Sequence, residues 1–348
     1  MGYATSLVFD FLGGAVADWM GRKQANLLGI LVQIGSFVPF LITKSYPLLL
    51  LSSAFYGIGL ALSSNSMDSL IYEEARSSGK EQEYQTVAGT TTGFLYAGRF
   101  YASILGGLTF KINPRLPYLL TIIALVCALI ACAGIQIEKS IDKTKVTRYR
   151  KIISDALNEY RCDPHLLRFV VFCGLFSFWG NMLFVYYQPY FTNLHVTPSA
   201  LGVLFACISL GSASGSLIMR KLPNRLSARK IQSLQLVGLL TTAILLLVLH
   251  MPIVLTAPLV LSVFSGFLLP NMRVFVHKIT VDKVRSSVLS VATSFISAGL
   301  VFGLATSYYM ADHLTKNTIL GVIMVGSVIT LLANHFILKD SRHKVSQI

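Results

Sequence analysis

Eleven apolar runs, each near the ~20 residues that a helix needs to cross the hydrocarbon core of a bilayer, fill most of this chain. They are Met1–Trp19, Gln24–Thr43, Pro47–Ile71, Val87–Phe110, Pro117–Ile137, Leu166–Phe191, Ala200–Met219, Ile231–His250, Ile253–Met272, Ser287–Met310 and Thr318–Leu338. Backbone amides and carbonyls have no water to bond inside lipid, so runs of this length close as helices. The expected fold class is therefore an all-α polytopic membrane protein. Composition agrees. With 54% hydrophobic and 13% charged residues and a mean hydropathy of +0.65, 348 residues carry more apolar surface than one soluble core buries.

A formal charge of +14 raises the question of a nucleic-acid partner, and the placement of the charge answers it. If the break holding Arg22 and Lys23 is cytoplasmic, that side also holds Arg76, Lys80, the basic set from Lys139 to Arg168, and the cluster Arg220, Lys221, Arg225, Arg229 and Lys230. Arg273, Lys278, Lys283, Arg285, Lys339, Arg342 and Lys344 follow on the same side. The other side holds only Lys44, Lys111, Arg115 and Lys316, which leaves Arg99 deep inside a run. This is a positive-inside pattern. It orients a multi-pass chain with a cytoplasmic C-terminus and removes nucleic acid as a partner. The bilayer itself is the macromolecular partner.

Residues 138–165 form the longest polar stretch and are expected to be a cytoplasmic linker, with a basic helix lying on the membrane surface. They separate an N-terminal bundle, 1–137, from a C-terminal bundle, 166–338, followed by a tail, 339–348. The second half has two runs before its basic loop and four after it; the first half has one before Arg22 and four after. That asymmetry implies a six-plus-six repeat whose first helix is absent from the sequence.

The stretch Gly14-Ala-Val-Ala-Asp18-Trp-Met-Gly21-Arg22-Lys23 closes the first run and opens the second. Gly14 permits close helix packing, Asp18 can cap or pair at the next helix start, and Gly21 lets the chain turn. Arg22 and Lys23 hold the loop on the cytoplasmic side and offer partners for Asp18. The stretch resembles the inter-helix signature of the major facilitator superfamily of membrane transporters. Asp68-Ser-Leu-Ile-Tyr72-Glu73, Tyr187-Gln-Pro189-Tyr-Phe and Arg285-Ser-Ser-Val-Leu289-Ser290 resemble segments of the fourth, seventh and eleventh helices of bacterial efflux-like members, in matching order. The resemblance implies two pseudo-symmetric bundles that move a small solute by alternating access. One departure weakens a drug-antiporter reading: the run with Gly98, Gly106 and Gly107 lacks the Gly-Pro pair typical of many such proteins.

Chemistry is expected where charge is expensive. Asp10 stands near the middle of the first run, eight residues and about 12 Å of helix from Asp18, on one face with Gly14. A carboxylate at that depth needs a partner, water or a proton. Two readings stand for it, a proton carrier and a structural ion pair. Arg99 is the natural counter-charge for Asp10, Asp68 or Glu73, as a clamp between helices or a holder of an anionic solute. Asp68 and Glu73, nearer the cytoplasmic end, fit gate or loop-pairing roles.

Polar side chains inside the runs mark a candidate solute cavity: Gln33, Asn181, Tyr186, Gln188 and Asn271. Interhelical hydrogen bonding is the commoner use of such residues. Tyr187 and Tyr190 fit an interfacial aromatic belt, and Pro189 and Pro270 fit bends in their helices. Five cysteines, odd in number and placed in spans or on the cytoplasmic side, disfavour disulfides. No metal-ligand spacing, phosphate-binding loop or nucleophile motif appears, so no cofactor, metal or enzymatic activity is expected.

The combined expectation is a monomeric secondary transporter of a small solute in the plasma membrane, proton-coupled and directed towards efflux. An uptake facilitator or symporter is the near alternative. A non-transporting sensor or remnant, and then an intramembrane lipid enzyme, lie further away. The coding DNA just upstream is expected to hold, in frame, an apolar stretch of about 20 residues behind a polar or basic leader. A stop codon immediately upstream, with Met1 or Gly2 as the mature terminus, removes that expectation.

Overall fold

The computed structural model describes residues 1–77, 84–134, 159–219, 226–249, 253–280 and 285–337. Side chains are described for these apart from 10–15, 17–19, 64–77, 84–92, 277–278, 285–287, 290 and 335–337. The apolar runs are helical over their described residues: α1 Gly2–Met20, α2 Arg22–Ile42, α3 Tyr46–Ser77, α4 Tyr84–Ile112, α5 Leu116–Gly134, α6 Pro164–Asn193, α7 Pro198–Ile218 and α8 Ala228–Val248. A 3-10 turn at Ile253–Thr256 then leads into α9 Ala257–Ser265, α10 Leu268–Ile279, α11 Arg285–His313 and α12 Lys316–Ile337. The described residues contain no strand. Among them, nine segments are long and apolar enough to cross a membrane.

The run 253–272, expected as one helix, is instead divided. Pro270 is the physical cause. Its nitrogen has no hydrogen to offer the carbonyl of Gly266 four residues back. That carbonyl takes the Ser216 hydroxyl of α7 instead, at 2.9 Å. Phe267 N–H donates to Phe264 O at 3.1 Å, a tightened turn that separates α9 from α10.

The chain forms two compact units, Met1–Leu95 with Leu105–Ile153, and Tyr96–Ile104 with Ser154–Ile348. In the first, α3 packs along both α1 and α2, and α5 packs on α2. Glycines set these spacings. A Cβ on Gly57 would lie 1.9 Å from the Gly2 carbonyl oxygen, and one on Gly59 2.7 Å from that of Gly29. Thr5 Oγ1 donates to Ala54 O at 2.9 Å across the α1–α3 seam. Backbones that close exchange the area of large side chains for direct van der Waals contact, the packing economy of helices in lipid.

The second unit builds on α6. Its N-terminus is capped by Asp163, whose carboxylate accepts from His165 N–H at 2.8 Å, with Pro164 at the first helical position. Thr197 and Ser227 cap α7 and α8 in the same way. α6 lies along α11, where a Cβ on Gly299 would stand 2.1 Å from the Gly174 carbonyl oxygen. α7 meets α9 through Gly215, whose added Cβ would lie 2.0 Å from Val263 O. The buried core holds Phe176, Leu183, Tyr187, Phe191, Leu236, Leu239, Leu246 and Leu320. A second cluster gathers Leu166, Phe169, Cys173, Met272, Val276, Val288 and Ala292.

Helix α6 ends with His195 at φ 60, flanked by His195 N–H donating to Thr192 O and Val196 N–H donating to Phe191 O, which is a Schellman cap with histidine in the left-handed position.

Gly299→Ala is expected to destabilise the folded protein by roughly 1–3 kcal/mol, because its Cβ meets backbone that cannot yield. Gly321→Ala, with nothing within 4 Å of the new Cβ, is the matched control and should not lose stability. Thermal unfolding of the two purified variants, followed side by side, checks this.

Candidate functional site

Helices α1 and α2 are joined by a single residue, Gly21, at φ 92 and ψ 140. L side chains rarely adopt that backbone, and glycine does so freely. Gly21 O then accepts from Ala25 N–H at 3.0 Å to start α2. Lys23, two residues on, sends Nζ to the Ala133 carbonyl at 2.8 Å, at the end of α5. A cation there meets unsatisfied carbonyls and the negative end of a helix dipole. One turn further, Asn26 Nδ2 donates to Cys132 Sγ at 3.2 Å. The signature loop is therefore sewn to the C-terminus of α5. Asp10, Gly14 and Asp18 on α1, and Asp68 and Glu73 on α3, fall outside the residues whose side chains are described. Arg99 lies on an exposed face of α4.

The structure places the candidate cavity residues in different settings. Gln33 is buried, and its Nε2 donates to Ser63 Oγ at 2.8 Å and to Gly59 O at 3.2 Å, binding α2 to α3. Asn181 Nδ2 donates to Leu300 O at 2.7 Å, in a ladder with Ser177 Oγ to Ile296 O and Ser307 Oγ to Met182 O along the α6–α11 seam. Asn271 is buried and its Nδ2 reaches Ala228 O at 3.4 Å. Tyr186 is half-buried beside Tyr190, ring centroids 5.9 Å apart, and Gln188 is exposed. Asn181, Tyr186 and Gln188 share α6; Gln33 and Asn271 lie on other helices.

Tyr187 and Tyr190 are not an interfacial belt. They are 1% and 5% exposed, inside the core of the second unit. Tyr190 OH donates to Leu246 O at 3.1 Å and accepts from Lys316 Nζ at 3.2 Å, with the ammonium 4.7 Å from the ring centroid. Tyr160, ahead of α6, is also buried and donates its hydroxyl to Val288 O at 2.7 Å. Burial, and then the neighbouring Cys173, push that hydroxyl well above its ordinary range, so it stays a neutral donor.

Among the described residues, four buried polar atoms have no hydrogen-bond partner, all in the second unit: Tyr187 OH, Gln232 Oε1, Gln235 Oε1 and Asn334 Nδ2. Both glutamines are anchored by their other atom, Gln232 Nε2 to Phe169 O at 3.3 Å and Gln235 Nε2 to Phe264 O at 3.5 Å. The free carbonyl oxygens are thus held in place as acceptors. Gln232 and Gln235 stand three residues apart at the start of an apolar run, so they share a helix face. That spacing is the signal in the sequence by which the pair could have been found.

The Major Facilitator Superfamily is matched over residues 1–193 and again over 170–348. This chain belongs to the Major Facilitator Superfamily. It is a multi-pass membrane transporter of the superfamily, not an enzyme. A crystal structure of the nucleoside transporter NupG, in a mutant form, superposes with a TM-score of 0.76 at 12% identity, covering 96% of this chain and 89% of that one. The likeness places the fold among all-α facilitators. No curated protein matches the sequence.

Tyr187→Phe is expected to leave thermal stability unchanged or slightly higher, because the hydroxyl it deletes has no partner. Asn181→Leu should cost roughly 1–3 kcal/mol, since it removes the short bond to the α11 backbone. Equal losses in the two melts would show that Tyr187 OH is bonded in the working protein.

Proposed function

We propose that this superfamily member is a proton-coupled secondary transporter that exports a small solute across the plasma membrane. Asp10 is the proton carrier and Arg99 the charge that modulates it. The position of Asp10 carries the reading: an acid about halfway along α1, a helix with no other charged side chain until Asp18, is where a carboxylate is most costly to keep ionised. The two bundles, 1–137 and 166–338, rock about a site at mid-membrane, linked by cytoplasmic residues 138–165 and followed by a cytoplasmic tail, 339–348. Asp18, Gly21, Arg22 and Lys23 act as a latch at the membrane edge, and Asp68 and Glu73 as gate residues. Asn181 and Gln188, seven residues and so two turns apart, present one face of α6 to the solute, and Tyr186, Gln33 and Asn271 belong to the packing that frames it. The efflux direction rests on the likeness of Asp68–Glu73 to efflux-type members. The transporter works as a monomer.

Reconstituted protein separates the steps. Asp10→Asn is expected to abolish solute movement driven by a pH gradient while preserving solute exchange at equal pH, because exchange needs no net proton transfer. Loss of exchange in well-folded protein, or retention of gradient-driven flux, removes Asp10 from the coupling step.

A further inference from the structure

The second unit carries an apolar groove of about 740 Å³ between α6 and α12. Leu175 and Trp179 of α6 form its floor, and Gly321, Val325 and Ile329 of α12 stand along its wall. Its polar groups are few and engaged. Thr330 Oγ1 accepts from Trp179 Nε1 at 3.2 Å and donates to Gly326 O at 2.8 Å. The indole lies so close to α12 that a Cβ on Gly326 would stand 2.1 Å from the ring. Trp179 is therefore pinned at its nitrogen and seated on a glycine, with its remaining face turned to the groove.

Three observations select an occupant. Val325 and Ile329 are 60% and 61% exposed on a segment long and apolar enough to span the membrane, so the medium beside the groove is hydrocarbon. From Thr318 to Ala333 the lining runs sixteen residues, or about 22 Å of helix, which exceeds the ~15 Å of hydrocarbon in one leaflet. No charged residue lines it, the Thr330 hydroxyl is committed, and the Thr318 hydroxyl at its end is shared with Thr315 Oγ1 at 2.9 Å, so a polar solute would find little to orient it and water little to hold it. A void of this size left empty in lipid would forfeit dispersion contacts along both walls.

We propose that this groove is a binding site for one acyl chain of a bilayer phospholipid, which lies along α12 in contact with Trp179. It is retained as a bound lipid and does not exchange freely with the surrounding bilayer.

The protein has two tryptophans, so Trp19→Phe leaves Trp179 as the sole reporter. In bilayers of phosphatidylcholine brominated along the acyl chain, Trp179 emission should fall by roughly half or more, as expected of a side chain that lines an occupied pocket. The loss should persist after transfer to detergent and washing, and native mass spectrometry should find one phospholipid per chain. Gly321→Leu, which adds a side chain where a Cβ meets nothing within 4 Å, should occupy the groove, restore emission and remove that lipid. Quenching that vanishes on washing, or that Gly321→Leu leaves unchanged in folded protein, overturns the site. Quenching by aqueous iodide and not by brominated lipid overturns it too, as does a stable dimer that shields Trp179 from both. If Gly321→Leu does not fold, the washed single-tryptophan protein decides alone.

Discussion

Hydrogen bonding of the backbone inside hydrocarbon is the constraint on which this structure rests. Each helix satisfies its own ladder, and what remains to be settled is how closely helices approach and what specifies the approach. Two devices recur. Glycines bring carbonyls within reach at the α1–α3, α2–α3, α6–α11 and α7–α9 seams. Short polar side chains then donate to carbonyls of the neighbouring helix, as Gln33, Asn181, Ser177 and Ser216 do. A hydroxyl or amide aimed at a carbonyl specifies register, which apolar side chains sliding over lipid-like neighbours do not.

Much of the fold was legible because length and hydropathy alone decide what crosses a bilayer. Ten of the eleven runs are single helices over their described residues. The exception inside 253–272 was legible only in part: Pro270 announced a bend, but the partner that made the break tolerable, Ser216, sits on another helix. Partner choice is where sequence reading ends. Lys23 shows this: nothing near it in the chain points to the Ala133 carbonyl, 110 residues away, that its ammonium reaches. Neighbours on α6 show the same limit. Tyr187 is buried and Gln188 exposed, because one residue turns a helix by about 100° and nothing in the pair itself says which faces inward.

The polar groups of the second unit fall into two kinds. Asn181, Ser177 and Tyr190 spend their hydrogen bonds on backbone and so bind helices together. Gln232, Gln235, Tyr187 and Asn334 keep a buried atom without a partner, on three different helices. A bundle that retains such atoms gives up stability that an apolar core would have kept. They are positions where an alternative hydrogen-bond arrangement has something to gain.

The one-residue joint at Gly21 has a mechanical meaning. Two helices tied by a longer loop can slide or swivel against each other with small changes spread over several torsions. Here the whole reorientation is concentrated in one φ/ψ pair, and the Lys23 bond fastens the start of α2 to α5. α1 and α2 are thereby geared together like the arms of a bell crank: a tilt imposed at one end of α1 is delivered to α2 and α5 with little lost motion.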